Sequence, residues 1–355
     1  MELSGRLLNL WGAQTRSCWR PAVCRHPTGR FEGIRVGIYL DLRNPPRWRR
    51  PWRDHYSRSL ELCAEAERLG ADSVWCSEHH LFEDGYLPQP LTFLAAVAAR
   101  TSRVRLGTAL VLAPLRPPAQ IAEEAAIVDL LSGGRLELGV GAGYRIPEFT
   151  AYGKDPARRF ADTEACVSEV RRLWREGGVT PPPLQDPVPI WMGGFLPSGA
   201  RRAGRQGAGL LSLDPALLAP YREGLEGAGY GPATARMAGH ANLVLADDPE
   251  AAWPRVRDHV AYQANTYRAY MVEGTQLPAP PPIDPEALRS PVDGQPPRFE
   301  VLTPEDAAQG LRTRLAGLPI TEVLFWASIA GMPDDLVERH IELLCTRLRP
   351  LVAGL

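Results

Sequence analysis

Short apolar segments alternate with helical segments along most of the chain, and this alternation limits the number of folds that the chain can adopt. Each strand-like segment is a continuous apolar run, which is typical of parallel strands covered on both faces. We count about eight strand–helix units, and this number favours an α/β fold of the closed (β/α)8 kind, a TIM barrel, over an open sheet. The predicted strands span residues 34–40, 73–76, 104–112, 136–140, 189–192, 210–213, 237–245 and 322–328.

The helices between these strands are predicted from apolar residues that recur at helical spacing. The clearest apolar stripes run through residues 166–174 and 337–348. No G-x-G-x-x-G turn follows the first strand, where a dinucleotide-binding open sheet would carry it. The predicted helices span residues 56–69, 91–100, 120–131, 199–206, 215–228, 249–270 and 303–315, with one more around 166–174 and a last one from Pro333.

Two stretches break the alternation and set the predicted domain boundaries. Residues 1–32 show no periodicity, so we expect an N-terminal extension that is poorly ordered. Residues 33–355 are expected to form a single barrel, with an inserted loop region at about 271–320. Within that insert, residues 274–300 are rich in proline and lack periodicity, which makes them a candidate lid over the barrel mouth.

The charge and the cysteine content argue against several classes of protein. The 355 residues carry a formal net charge of −1, so no global field favours nucleic acid or an anionic membrane as a partner. No stretch approaches the roughly 20 apolar residues of a membrane-spanning helix. The six cysteines lack the two close pairs that a metal knuckle needs, so no metal site is expected. Scattered thiols of this kind fit a cytoplasmic location best.

Active-site groups of a (β/α)8 barrel lie just after the carboxyl ends of its strands. The second predicted strand is followed there by Ser77-Glu78-His79-His80. Adjacent histidines at a strand end point in opposite directions, so at most one of them faces the barrel mouth. One interpretation is a general base whose tautomer is fixed by Glu78 or by a backbone group. The other is a polar loop with a histidine that is hydrogen-bonded for structural reasons.

Small residues follow the third, fourth and fifth strands, where a flat ligand would need close access to the backbone. Glycines there can expose backbone N–H groups, and a helix N-terminus after the fifth strand can bind phosphate. Ordinary turns and strand packing would explain the same residues. The segments concerned are Gly107-Thr108-Ala109-Leu110, Gly139 to Tyr144, and Gly193-Gly194 with Ser198-Gly199.

A basic and aromatic segment at residues 47–53 occupies the loop after the first strand, and it reads Arg-Trp-Arg-Arg-Pro-Trp-Arg. Its arginines could bind an anionic substrate or stack on an aromatic one. A solvated loop with packed tryptophans is the alternative interpretation. The sequence alone leaves both interpretations open.

Several of these segments, taken in register, resemble the luciferase-like monooxygenase superfamily. Their order and spacing match the alpha subunit of bacterial luciferase over residues 74–153. The similarity is weaker over residues 34–213 as a whole and in the last strand and helix. The matching blocks are Ser77-Glu78-His79-His80-Leu81-Phe82, Gly107-Thr108-Ala109, Ala122-Glu123-Glu124, Leu130 to Leu136, Gly139 to Tyr144 and Glu148-Phe149.

The resemblance implies a (β/α)8 barrel that binds FMN or, in one branch of the family, the deazaflavin coenzyme F-420. It implies that His79 is the catalytic base, with Glu78 and His80 beside it in the catalytic group. Two implied cofactor-binding residues, Ala109 and Leu110, are joined by a non-prolyl cis peptide beside the flavin ring. Further cofactor-binding residues implied by the resemblance are Gly141, Ala142, Gly143 and Tyr144, and the implied phosphate-binding residues are Gly193, Gly194, Ser198 and Gly199. The chain departs from luciferase at two positions, because Gly141 replaces a reactive cysteine and Ala142 replaces a phosphate-contacting arginine.

The activity implied by the resemblance is that of a two-component flavin-dependent monooxygenase. A separate flavin reductase would supply reduced FMN, O2 would add at the flavin C4a carbon to give a peroxide, and the peroxide would attack a small organic substrate. One alternative is a hydride-transfer oxidoreductase that uses coenzyme F-420, and a second is a non-catalytic flavin-binding partner subunit. A metal-dependent hydrolase is the third alternative. Because the family commonly dimerises, we expect a homodimer.

Overall fold

The computed structural model describes residues 33–291 and 297–354, so the predicted N-terminal extension lies outside the described residues. Within those ranges eight parallel strands pair side by side and close into a barrel, as predicted. The strands are β1 (Arg35–Leu40), β2 (Ser73–Cys76), β3 (Arg105–Thr108), β4 (Leu136–Gly141), β5 (Ile190–Gly193), β6 (Gly209–Leu211), β7 (Met237–Ala241) and β8 (Ile320–Trp326).

The strand order around the barrel follows the order along the chain. β1 pairs with β8, where Arg35 lies opposite Glu322, and this pairing joins the two ends of the sheet. β3 pairs with β4, where Leu106 lies opposite Leu136. Because these pairings are parallel, the carboxyl ends of the strands meet at one rim. Side chains that follow different strands are therefore brought together at that rim.

A helix follows each strand, and the helices cover the outer face of the sheet, which explains the continuous apolar character of the strands. In the described part of the chain, no helix is both long enough and apolar enough to cross a membrane. The eight helices are α1 (Trp52–Leu69), α2 (Pro90–Ala98), α3 (Pro118–Ser132), α4 (Arg159–Arg175), α5 (Pro197–Arg205), α6 (Leu218–Gly227), α7 (Pro249–Val272) and α8 (Asp334–Leu343). Shorter α-helices at Ile146–Ala151, Pro285–Leu288 and Arg349–Val352 and a longer one at Pro304–Leu315 accompany them.

The third predicted strand, 104–112, is divided in the structure. β3 is followed by a separate two-residue strand, Val111–Leu112, and the break falls at Ala109 and Leu110, whose connecting peptide bond is cis. The cis bond agrees with what the resemblance implied. Apolar residues continue through the break, so the hydrophobic pattern could not reveal it.

The seventh predicted strand, 237–245, is also divided, and its second part leaves the barrel. Leu243–Leu245 pairs with Glu300–Leu302 in a small two-stranded sheet. The proline-rich stretch 274–300 is consequently not irregular throughout, since it contains a short helix and ends in this strand. Parallel pairing across more than fifty residues of intervening chain leaves no local signal in the sequence.

A buried network of charged and indole groups fills the amino-terminal end of the barrel. Glu137 of β4 accepts a hydrogen bond from Trp191 Nε1 at 2.5 Å and pairs with Arg35 at 3.1 Å and with Arg105. Burial alone would raise the pKa of Glu137, but the two arginines lower it to about 2. Glu322 of β8 pairs with Arg35 at 2.8 Å from the other side. This network fills the amino-terminal end, so ligands are expected at the opposite rim.

Candidate active site

His79 lies in an aromatic cluster on the carboxyl rim of the barrel, three residues beyond the end of β2. Its ring stacks on Phe82 with ring centres 4.8 Å apart, and it meets Tyr86 and Tyr144 edge-on at 4.8 and 5.2 Å. The residue is only 7% exposed. These rings therefore shield the imidazole from bulk water.

A buried carboxylate, Glu148, orients the imidazole of His79. Nδ1 of His79 lies 2.9 Å from Oε1 of Glu148, and the same oxygen accepts the backbone N–H of His80 at 2.8 Å. Glu148 is fully buried in the short helix that follows β4. A carboxylate beside Nδ1 favours the tautomer that carries its proton there, so Nε2 is the basic nitrogen. The expectation that Glu78 or a backbone group fixes this tautomer is wrong.

Glu78 and His80 form a cluster of their own. Nε2 of His80 lies 2.7 Å from Oε1 of Glu78, and the hydroxyl of Tyr152 lies 3.0 Å from Nδ1 of the same ring. The second carboxylate oxygen of Glu78 pairs with Arg116 at 3.0 Å. The two histidines are adjacent in sequence, but each has a different carboxylate partner. The Glu78 cluster ties the loop after β2 to the segment that leads into α3.

The side chain of Leu110 lies across the carboxyl ends of β4 and β5. A Cβ atom added at Gly193 would lie 2.8 Å from Cδ1 of Leu110, and one added at Gly141 would overlap the same atom. Glycine at both positions therefore lets Leu110 reach over the backbone. The hydroxyl of Tyr39 donates to the carbonyl oxygen of Ala109 at 2.7 Å and holds the preceding residue in place. Leu110 and the two glycines beneath it form an apolar surface, the Leu110 floor, that suits a planar ring system.

Tyr144, whose ring lies edge-on to His79, has an unpaired hydroxyl. The hydroxyl is buried and has no hydrogen-bond partner among the described residues. Burial and the neighbouring Glu148 raise the pKa of the phenol above its usual value, so the group is a neutral hydrogen-bond donor. Leaving such a group unpaired is costly in a folded protein, and it therefore points to a ligand. Tyr144 is preceded in the chain by the half-buried Ala142 and by Gly143, which has a left-handed φ of 68°.

The predicted phosphate-binding segment forms the loop after β5 and the first turn of α5. Gly194 and Gly199 approach so closely that a Cβ atom at Gly194 would lie 2.9 Å from the carbonyl carbon of Gly199. Nη1 of Arg202, one turn further along α5, lies 3.5 Å from Oγ of Ser198. Arg202 itself lies in the last turn of α5, where its guanidinium also packs over Phe160 and lies 3.6 Å from Glu164. The groups that this segment offers to a phosphate are therefore the backbone N–H groups at the amino end of α5 and the hydroxyl of Ser198.

The site thus combines the Leu110 floor, an unpaired hydroxyl and the amino end of a helix, and these features fit a flavin mononucleotide or a deazaflavin. The family model of luciferase-like monooxygenases matches residues 34–296 of the chain. This chain belongs to the luciferase-like monooxygenase family. A solved structure of the monooxygenase RslO1 from Streptomyces bottropensis has 28% sequence identity and a TM-score of 0.73, and the match covers 89% of this chain and 99% of that one.

Relatives of this luciferase-like chain carry names of two kinds. An F420-dependent glucose-6-phosphate dehydrogenase of Rhodococcus erythropolis is 30% identical over 302 residues, which cover 79% of this chain and 82% of the relative. The oxygenase component of a flavin-dependent trigonelline monooxygenase of Acinetobacter baylyi is 31% identical over 168 residues, which cover 43% and 47%. The match to the corresponding dehydrogenase of Amycolatopsis mediterranei covers 52% of that relative. The chain thus spans about half the length of several relatives that it matches.

α7 supplies aromatic side chains to the rim of this luciferase-like barrel. The hydroxyls of Tyr267 and Tyr86 lie 2.8 Å apart, and the ring of Tyr270 lies 4.2 Å from that of Phe82. Sequence analysis assigned α7 only as a helix and missed these contacts, although three tyrosines within residues 262–270 were an available signal. In residues 33–291 and 297–354, no group of three His, Cys, Asp or Glu side chains is placed to hold a metal ion.

The basic segment 47–53 lies at the outer edge of the rim rather than beside His79. Arg47 is 67% exposed in its side chain and pairs with Asp258 at 3.1 Å. The ring of Trp48 packs on that of His259 with centres 3.9 Å apart. Of the two interpretations of this segment, the solvated loop with packed tryptophans describes these contacts better.

Proposed function

We propose that this chain is an enzyme, a monooxygenase that uses reduced FMN to insert one oxygen atom into a small organic substrate. The observation that carries the proposal is the pair of His79 and Glu148 at the same rim as the Leu110 floor. A general base beside a floor for a planar ring is what flavin chemistry on a bound substrate requires. Membership of the luciferase-like family supports the assignment.

Reduced FMN, when bound, supplies two electrons to O2, so that one oxygen atom enters the substrate, the other leaves as water and the flavin is oxidised. The residues of this chain would hold it in three places. Leu110 would support the ring, the hydroxyl of Tyr144 would donate a hydrogen bond, and Ser198 with the backbone N–H groups at the start of α5 would hold the phosphate.

His79 would handle the protons of the reaction. Glu148 keeps Nδ1 protonated, so Nε2 can accept a proton from the substrate and return it. Phe82, Tyr86 and Tyr144 surround the ring and exclude water from it. We propose that Glu78 and His80 act as positioning residues, because their contacts fix the loop that carries His79.

The proposed partners are O2, a small-molecule substrate and a separate flavin reductase. The relative from Acinetobacter is named as an oxygenase component, and this supports a two-component arrangement. The homodimer and the cytoplasmic location stay predictions.

The second candidate is a hydride-transfer oxidoreductase that uses coenzyme F-420. It is favoured by the relative from Rhodococcus, whose name specifies that cofactor and which the chain matches over most of its length. A non-catalytic flavin-binding subunit is disfavoured, because His79 retains its buried carboxylate partner. Purified protein loaded with reduced FMN or with reduced F-420 in parallel separates the two enzymes by the cofactor that supports turnover.

Turnover in isotopically labelled O2, with a flavin reductase and a panel of small ketones and phenols, tests the proposal. We expect label in the product, and we expect His79→Ala to lower kcat by about 10²–10⁴-fold while FMN affinity is retained. Glu148→Gln should lower kcat with little change in KM, and Glu148→Asp should restore part of the activity. Glu83→Gln, an exposed residue on the same loop, is the matched control. Unlabelled product, or full activity without His79, would contradict the assignment.

A further inference from the structure

Arg43, in the loop after β1, is a buried cation with unused hydrogen-bond donors. Its Nε donates to Oδ2 of Asp84 at 2.7 Å, and its backbone N–H donates to Asp41 at 3.1 Å. The residue is 2% exposed, and its two terminal nitrogens, Nη1 and Nη2, have no hydrogen-bond partner among the described residues. Burial alone would lower the pKa of Arg43, but Asp84 and Asp41 raise it above the usual value, so the side chain stays charged.

Aromatic rings enclose the guanidinium of Arg43. Its central carbon lies 5.3 to 5.8 Å from the ring centres of four residues, Phe82, Tyr86, Tyr262 and Tyr267. Ring faces attract the positive charge but do not use the in-plane N–H donors. A buried charged donor without a partner destabilises the folded state, and a ligand that accepts its hydrogen bonds would offset this destabilisation.

The guanidinium shares its surroundings with the proposed catalytic base. Phe82, Tyr86 and Tyr267 contact the ring of His79 as well as enclosing Arg43. Arg43 also lowers the pKa of Tyr144 against the larger effect of burial, so its charge reaches the other unpaired donor of the site. A ligand at Arg43 would therefore lie within the same aromatic chamber as His79.

A pocket on the outside of this chamber offers a route to it. The pocket has a volume of about 310 Å³ and is lined by Trp48, Tyr262 and Asn265 among others. This volume is sufficient for a small organic molecule. Tyr262 lines the pocket and also packs on Arg43, and its hydroxyl donates to Asp84 at 3.2 Å. Tyr262 is thus shared between the lining of the pocket and the surroundings of the guanidinium.

We propose that Arg43 anchors the substrate, binding an oxyanion on a flat, apolar molecule that enters past Tyr262. The planar fork of Nη1 and Nη2 matches two acceptor lone pairs, as a carboxylate or a phenolate presents them, and the aromatic walls match the flat body. Asp84 occupies Nε alone and leaves this fork open. Burial raises the pKa of Asp41 to about 6, so this carboxyl group can take up a proton when an anion binds near it. The proposal rests on the monooxygenase function, since it names the class of substrate for that same site.

Calorimetric titration at pH 8 with benzoate, the ionised 4-nitrophenolate and the neutral benzamide tests the anchor in flavin-free and FMN-loaded protein. Wild type should bind benzoate or 4-nitrophenolate at least about tenfold more tightly than benzamide. Arg43→Lys keeps the charge and can still pair with Asp84 but removes the fork, so this preference should become several-fold smaller while FMN affinity is unchanged. Arg53→Lys, an exposed arginine in the first turn of α1, should behave as wild type. Tyr262→Leu removes one aromatic wall of the proposed site and should weaken binding of benzoate even if Arg43→Lys fails to fold.

The outcomes separate this inference from the function on which it rests. A several-fold smaller preference in Arg43→Lys supports the anchor, and the probe that shows it distinguishes a carboxylate from a phenolic substrate. Equal binding of benzoate, 4-nitrophenolate and benzamide by wild type would overturn the anchor, as would a preference that is undiminished in Arg43→Lys. FMN binding would in either case leave the monooxygenase proposal intact. Binding of benzoate without any uptake of flavin would instead refute the monooxygenase.

Discussion

At the scale of single residues, the rim contains carboxyl groups whose protonation the fold controls. Asp41 is 3% exposed, and burial, assisted by the charge of Asp84, raises the pKa of its carboxyl from 3.8 to about 6. A carboxyl group with a higher pKa in the folded state than in the unfolded state stabilises the fold fully at a pH below its unfolded-state pKa. This stabilisation is lost as the pH rises through its folded-state pKa. Ionised Asp41 therefore destabilises the fold above about pH 6.

Asp41→Asn should remove this dependence on pH. Between pH 4 and pH 7 the free energy of unfolding of the variant should gain about 2.5 kcal/mol relative to wild type, from a shift of about two pKa units. His240 and His340, whose pKa values burial lowers to about 4, titrate in the same window with the opposite sign, so only the difference between the two proteins isolates Asp41. Urea denaturation at both pH values measures it, and a difference that stays constant would refute it.

The sequence predicts some residues of this site and not others for a physical reason. His79 follows a strand end, which is a position that the barrel geometry singles out. Its partner Glu148 lies 69 residues further along, and no local spacing connects the two. Sequence analysis did not single out Arg43, which lies close to the arginines of residues 47–53. Its burial depends on tertiary contacts with α7, and these leave no local pattern in the sequence. The aromatic cage of Arg43 therefore becomes visible only in the folded chain.

Among the elements, α7 covers the aromatic cluster, and an ion pair at its carboxyl end fastens it. Arg145, in the loop after β4, lies 2.6 Å from the carboxylate of Glu273, which follows α7 directly. The same guanidinium donates to the carbonyl oxygen of His80 at 2.8 Å and lies over the ring of Tyr270. Because these contacts join α7 to two rim loops, they should keep its tyrosines in place over His79.

Glu273→Gln should loosen the carboxyl end of α7. Amide hydrogen exchange at residues 262–273 should become about fivefold faster, as expected for the loss of a half-exposed ion pair worth about 1 kcal/mol. The barrel strands should exchange as before. Glu250→Gln removes an exposed pair with Arg289 near the other end of α7 and should change nothing at residues 262–273. Identical exchange in Glu273→Gln and wild type would show that this pair does not hold the helix.

Element boundaries followed from the sequence wherever local pattern and tertiary structure agree. The strand–helix order was predicted because each unit shows its own periodicity. The breaks after β3 and β7 were missed, because apolar residues continue through each break although the second part forms a separate strand. The helix at Ile146–Ala151, which carries Glu148, is too short for a periodic signal.

At the scale of the whole molecule, the barrel divides its two ends between stability and function. The amino-terminal end is filled by the ionic network around Glu137, and the carboxyl rim gathers the unpaired groups of Arg43 and Tyr144. Alternation along the chain was enough to predict this architecture, and the family match agrees with it. The choice between FMN and F-420 does not follow from architecture, because both present a planar ring and a phosphate.

Anaerobic equilibrium titration of the purified full-length chain with reduced FMN, oxidised FMN and reduced F-420 is the most direct test of the central claim that this rim binds a flavin. The account predicts saturable binding of one reduced FMN per chain, tighter than that of reduced F-420, and the same affinity in His79→Ala. Absence of saturable binding for all three cofactors would contradict it.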